Sequence, residues 1–198
     1  MTTGLQHAFN ANVDTTAAEA VLKELGCVFH RQADGSLFVP GAINLSKKNL
    51  TALPDLSMVD VGGEFFCDGN SLSDLTGAPR SVQGGFDCSG SGLTSLKGAP
   101  AFCVDFMCHD NNLVSLDGAP KSVNGFYCDG NKLSSLEHAP ESFHELVSDF
   151  GRFSGWAEVP QKLHFSPATL EKIIANAVHV CTVLDRNLSV GKPLSFRR

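Results

Sequence analysis

The 198-residue chain has no run of 18 apolar residues, so it offers no candidate for a membrane-spanning helix. Its start, Met1-Thr2-Thr3-Gly4, lacks the basic region and apolar stretch of a secretory signal, and a cytoplasmic location is expected. Positive charge is in deficit, with 15 Lys and Arg against 21 Asp and Glu and a formal charge of -6. That balance disfavours nucleic acid and anionic membrane as partners and favours basic surfaces. No glycine-rich phosphate loop follows a strand and opens a helix, so no nucleotide site is expected. The seven cysteines include no CxxC pair and have no histidines in register with them. Neither a metal nor a cofactor is therefore expected.

What the chain does contain is a repeat. Cys67, Cys88, Cys108 and Cys128 are spaced by 21, 20 and 20 residues. A Phe stands two residues before each (Phe65, Phe86, Phe106, Phe126), and Leu stands five and eight after it (Leu72/Leu75, Leu93/Leu96, Leu113/Leu116, Leu133/Leu136). Ala-Pro follows at Ala78-Pro79, Ala99-Pro100, Ala119-Pro120 and Ala139-Pro140. Self-similarity at this period signals a solenoid, in which a single coil cannot bury its apolar face and stacks on neighbours that can. A degenerate copy begins at Ile43, with Ile for Phe and Leu45 for Cys. Another is recovered after Pro140: Leu146 takes the Phe place, Ser148 the Cys place, Gly151 the Asn place, Phe153 and Trp156 the Leu places and Val159-Pro160 the Ala-Pro place. About six coils are expected, in which the recurrent cysteines act as small buried hydrophobes.

Caps are expected at both ends, because a terminal coil otherwise exposes core. Residues 1–14 read as a flexible N-terminus and 15–42 as an N-terminal cap. In that cap, Thr16 to Leu25 is a helix with a Thr N-cap, Glu19 at capping-box spacing and Gly26 at C′. A hairpin follows, with strands Cys27 to Arg31 and Ser36 to Val39 around Ala33-Asp34-Gly35. The repeats occupy 43–160. In the tail, 161–198, Ser166-Pro167 opens a helix whose Leu170, Ile173, Ile174, Ala177 and Val178 share a face that closes the stack or makes a homodimer. A short strand at Val180 to Leu184 and a basic end, Phe196-Arg197-Arg198, come last.

The phrase Phe126-x-Cys128-x-x-Asn131-x-Leu133 resembles the LxLxxNxL core of the leucine-rich repeat. The short period and recurring proline look most like the bacterial class known from YopM and the IpaH ubiquitin ligases, and similar repeats occur in phage proteins. The resemblance covers roughly residues 43–160 and implies an α/β solenoid with short parallel strands on its concave face. It also implies a bacterial cytosol, or a host cytosol if the protein is exported as an effector. In that frame Phe and Cys enter the core, and the Asn side chain bonds backbone groups that the turn leaves unpaired. Lys48, Ser91 and Gly151 depart from Asn and break that ladder in three coils. Ala-Pro favours an irregular, polyproline-like convex side.

Residues alternating with Phe and Cys project outward from such strands. They are Glu64, Phe66, Asp68; Gly85, Asp87, Ser89; Asp105, Met107, His109; Gly125, Tyr127, Asp129; and Glu145, Val147, Asp149. Seven of these fifteen are acidic and none is Lys or Arg, while Phe66, Met107, Tyr127 and Val147 form an apolar stripe. The expected role is protein binding, with apolar anchors inside a rim of carboxylates that steers a basic partner. An inhibitor that imitates nucleic acid and occupies a nuclease groove is the alternative. A ubiquitin-ligase-like fragment is weaker still, because fewer than forty residues follow Pro160 and they offer only Cys181 with Asp185. Asp105, His109 and Asp110 suggest an acid–base or metal cluster, but His109 reads as an ordinary surface histidine. No enzymatic activity is expected.

Overall fold

In the computed structural model, which describes residues 14–176, each repeat phrase closes one coil, and every coil sets a short strand beside its counterpart in the next. Helix α1 (Thr16–Glu24) precedes strands β1 (His30–Arg31), β2 (Leu37–Val39), β3 (Ile43–Asn44), β4 (Val59–Val61), β5 (Phe65–Phe66) and β6 (Ser81–Val82). There follow β7 (Gly85–Asp87), β8 (Asp105–Met107), β9 (Gly125–Tyr127), β10 (Glu145–Ser148) and β11 (Gly151–Phe153). The long sheet runs β11-β10-β9-β8-β7-β5-β3. Its six strands from β3 to β10 are parallel and in register, Ile43 beside Phe65, then Phe86, Phe106, Phe126 and Leu146. They enclose about five coils of a β-solenoid.

The alternation of buried and outward residues sets this register, since a slip of one residue would turn every Phe and Cys to solvent. Phe65, Phe86, Phe106 and Phe126 are fully buried, and their rings stack at centroid distances of 5.1, 5.3 and 5.8 Å. Those distances are close to the strand spacing of about 4.8 Å. Cys67, Cys88, Cys108 and Cys128 form the adjacent buried column, and Leu75, Leu96, Leu116 and Leu136 fill the turn beyond it.

Two expectations are corrected here. The side expected to be irregular carries a second sheet, β1-β2-β4-β6, in which β2, β4 and β6 are parallel. Bridges at Ser81–Phe102 and Ser122–Ser142 continue its direction. Val61, Val82, Cys103, Val123 and Phe143 are its buried column, so the residues after Ala-Pro alternate as a strand does. The last expected coil also does not form. After Ser148 the chain reverses, and β11 returns antiparallel to β10 with Leu146 opposite Phe153. Gly151 adopts φ +135 opposite Ser148 instead of filling an asparagine place, and the hairpin covers an edge that would otherwise be open.

At the N-terminal end α1 is followed by the antiparallel pair β1 and β2, with His30 opposite Phe38. Gly26, at φ +68, and Cys27 donate to the carbonyls of Lys23 and Leu22, which is a Schellman ending. The capping box is absent: Thr15 makes no side-chain cap, and Asp14 accepts the Thr16 amide instead. At the other end a helix spans 167–176 with Ile173 and Ile174 exposed, while Ala177 and Val178 of the same expected face lie outside the described residues. Phe153, Val159 and Leu163 cover the last coil, and Trp156 packs edge-on against Phe143 while donating to the Pro140 carbonyl at 2.9 Å.

Residues 1–13, Cys181 with Asp185, the strand expected at Val180 to Leu184 and the basic end at Phe196 to Arg198 lie outside the described residues. Among the described residues no helix is long and apolar enough to cross a membrane.

Candidate functional site

The outer face of the long sheet carries every residue singled out for binding, arranged in three columns by the parallel register. Glu64, Gly85, Asp105, Gly125 and Glu145 form the first, and Phe66, Asp87, Met107, Tyr127 and Val147 the second. Asp68, Ser89, His109, Asp129 and Asp149 lie at the strand ends as a third. Phe66, Met107, Tyr127 and Val147 are half-buried, and Asp87 interrupts their stripe between Phe66 and Met107.

The reason that the stripe lies flat is found in the first column. A Cβ on Gly85 would stand 3.1 Å from the Met107 methyl, and one on Gly125 would meet the Tyr127 ring at 2.7 Å and the Asp105 carboxylate at 2.8 Å. Glycine at these two places is a seat for the neighbouring large side chain. Tyr127 is pinned in its seat by donating its hydroxyl to Glu145 at 3.0 Å. That bond, with some burial, raises the phenol above its ordinary value. Sequence reasoning named Tyr127 but missed the seats, whose signal is the alternation of glycine with acid along the first column.

Most of the acidic rim is engaged in turn and strand bonds. Asp105 accepts the Gly125 amide at 2.8 Å, Asp87 accepts the Ser89 amide at 2.9 Å, and Asp68 accepts the Ser46 hydroxyl. Asp149 accepts the Gly130 and Asn131 amides at 3.0 and 3.3 Å. Arg152, which the sequence reading did not place on this face, pairs with Glu145 at 3.0 Å from β11. Among the described residues, Glu64 and Asp129 make no side-chain hydrogen bond.

Met107, His109, Asp110, Tyr127 and Asp129 line a shallow cleft of about 390 Å³ on this face. His109 is half-buried, and its Nδ1 lies 2.9 Å from Asp110. Water does not surround it on all sides as expected, whereas Asp105 belongs to another column and is bonded to Gly125. Larger clefts of about 680 and 550 Å³ sit at the two ends of the stack, against Trp156 and His164 and against α1. The first is lined by turns of the last regular coils together with Trp156, His164 and Phe165, and the second by α1 and the first coil.

Beneath the face, the asparagines join one coil to the next. Asn111 donates to the carbonyls of Cys88 and Cys108 at 3.1 and 3.0 Å and accepts the amides of Ser91 and Leu93 at 3.0 and 2.9 Å. Asn70 bonds Leu45, Cys67, Lys48 and Leu50 in the same way. The ladder expected to break at Lys48 and Ser91 is continuous there. Asn70 serves the Lys48 coil from its neighbour, and the Ser91 hydroxyl reaches the Cys67 carbonyl at 3.0 Å. The buried cysteines are chemically quiet: burial pushes Cys128 and Cys103 up to about 12 and raises Cys88 and Cys108 well above the ordinary thiol value. Among the described residues no group of three or more His, Cys, Asp or Glu is placed to hold a metal.

Comparison with sequence families, with curated proteins and with solved structures gives no match to this chain.

Proposed function

We propose that the chain is a leucine-rich-repeat type binding module of the short bacterial class, acting without catalysis through the outer face of its long sheet. The observation that carries this reading is a flat row of half-buried apolar side chains flanked by carboxylates on both sides. Tyr127 is held in place by its bond to Glu145 before any partner arrives, which lowers the ordering cost of contact. The repeat phrase and its asparagine staples support the leucine-rich-repeat reading, because their spacing and bonding serve the same backbone need. The partner is a protein with a basic patch, met in a cytosolic compartment.

Nucleic-acid mimicry is the weaker reading. Five of the seven carboxylates make internal bonds, and those of the first column recur only on every second strand, about 10 Å apart.

Quantitative capture compares the wild type with an Asp87→Lys, Asp105→Lys, Asp129→Lys variant and with a control reversing Asp55, Asp74 and Asp117. The partner is retained by wild type and control and lost by the face variant, with folding checked by circular dichroism. Equal retention by all three refutes the reading, and a retained set dominated by nucleic-acid enzymes favours the mimic.

A further inference from the structure

The cleft between Met107 and Tyr127 on one side and His109, Asp110 and Asp129 on the other has features that the remainder of the face lacks. The Tyr127 part of its apolar wall is fixed. The Tyr127 ring lies over Gly125, which leaves no room for a Cβ, and its hydroxyl is tied to Glu145, so the ring cannot swing away without breaking that bond. Its polar wall holds two carboxylates of different standing. Asp110 is occupied by the His109 ring at 2.9 Å, whereas Asp129 makes no side-chain hydrogen bond among the described residues. An aromatic plane beside a half-buried free carboxylate matches a flat cation with an apolar stem.

Building on the binding-face reading, we propose that this cleft is an arginine subsite, which takes one guanidinium side chain of the partner. The guanidinium stacks on Tyr127 and donates to Asp129, while its methylene stem runs along Met107. Arginine suits the site better than lysine, because its planar head stacks on a ring and donates to a carboxylate at the same time. A small neutral ligand would leave Asp129 without its counter-charge.

Tyr127 is the only tyrosine in the chain, so incorporation of 3-fluorotyrosine gives a single fluorine resonance located at the cleft. Titration with a short arginine-containing peptide shifts this resonance saturably, and the same peptide with citrulline, the neutral isostere, does not. Asp129→Asn, which removes charge without removing a described bond, weakens the arginine peptide by about tenfold, equivalent to about 1.4 kcal/mol. Tyr127→Leu, followed through the His109 ring protons, weakens it similarly. A resonance unmoved by arginine, or moved equally by citrulline, overturns the subsite. If the partner is then still lost by the triple-reversal variant, the binding face stands without the subsite; if that variant binds normally, both readings fall.

Discussion

Removing the Asn111 side chain tests how the coils are held together. Asn111→Ala deletes two bonds to the Cys88 and Cys108 carbonyls and two from the Ser91 and Leu93 amides, and all four backbone partners are buried. A hydrogen bond contributes about 1 kcal/mol net, and a buried group left unpaired costs about 1–3 kcal/mol, so the expected loss is about 3–5 kcal/mol. Asn111→Ser keeps a hydroxyl, as at Ser91, where one oxygen reaches the Cys67 carbonyl and accepts the Asn70 amide. It should cost roughly half as much. Urea unfolding followed by circular dichroism gives the energies, and amide exchange locates them. Ser91 and Leu93 should lose protection most, because Asn111 alone accepts their amides. A loss below about 1 kcal/mol with those two amides still protected would refute the staple.

Three further outcomes follow from named contacts. Gly98→Ala places a Cβ 2.5 Å from the Leu75 carbonyl oxygen at φ +89, and should destabilise by about 2 kcal/mol or more in the same urea assay; an unchanged midpoint would contradict the close approach. The N-terminal hairpin is clamped to the stack by Asp60, which accepts from Arg80, Gln32 and Ser81, and by Asp34, which accepts from Ser36 and Arg80. Arg80 chiefly lowers Asp60, and Ser36 chiefly lowers Asp34, to about 2, from the ordinary 3.8. The Asp34 contribution is complete above pH 3.8 and is lost as pH falls toward about 2, and the Asp60 contribution is likewise lost below 3.8, so hairpin amides should exchange faster as pH falls below 3.8 and show a smaller pH response in Arg80→Met; equal pH responses would contradict the clamp. In a Cys181→Ser variant, a thiol reagent at neutral pH should label only the half-buried Cys27 until unfolding; prompt labelling of Cys88 or Cys108 would contradict their burial.

The sequence made the long sheet legible because every constraint on it recurs. Phe and Cys alternate with outward residues in each coil, and that alternation alone sorts core from surface. The second sheet was equally periodic at Ser81-Val82, Phe102-Cys103, Ser122-Val123 and Ser142-Phe143, yet proline in the preceding dipeptide suggested an unpaired segment. Proline in fact stands just before the strand, where its missing amide breaks no ladder. The C-terminal end differs because Leu146 and Ser148 fit the repeat while the turn after them does not, and the chain returns at Gly151 as an antiparallel hairpin. The outer face was placed by alternation, but the bonding of its carboxylates was not. Whether an aspartate caps a turn or faces a ligand depends on neighbours one coil away, which a linear pattern does not display. Gly85 and Gly125, outward positions with no side chain of their own, leave the space that Met107 and Tyr127 occupy.

The outer face of the long sheet as the contact surface is tested most directly by hydroxyl-radical footprinting of the protein with its captured partner. Phe66, Met107 and Tyr127 report on that face, and exposed Phe102 and Val28 report on surfaces elsewhere. Oxidation of Met107 and Tyr127 should fall severalfold on binding while Phe102 and Val28 react as before. Protection at Phe102 or Val28 with Met107 and Tyr127 unchanged would contradict the account.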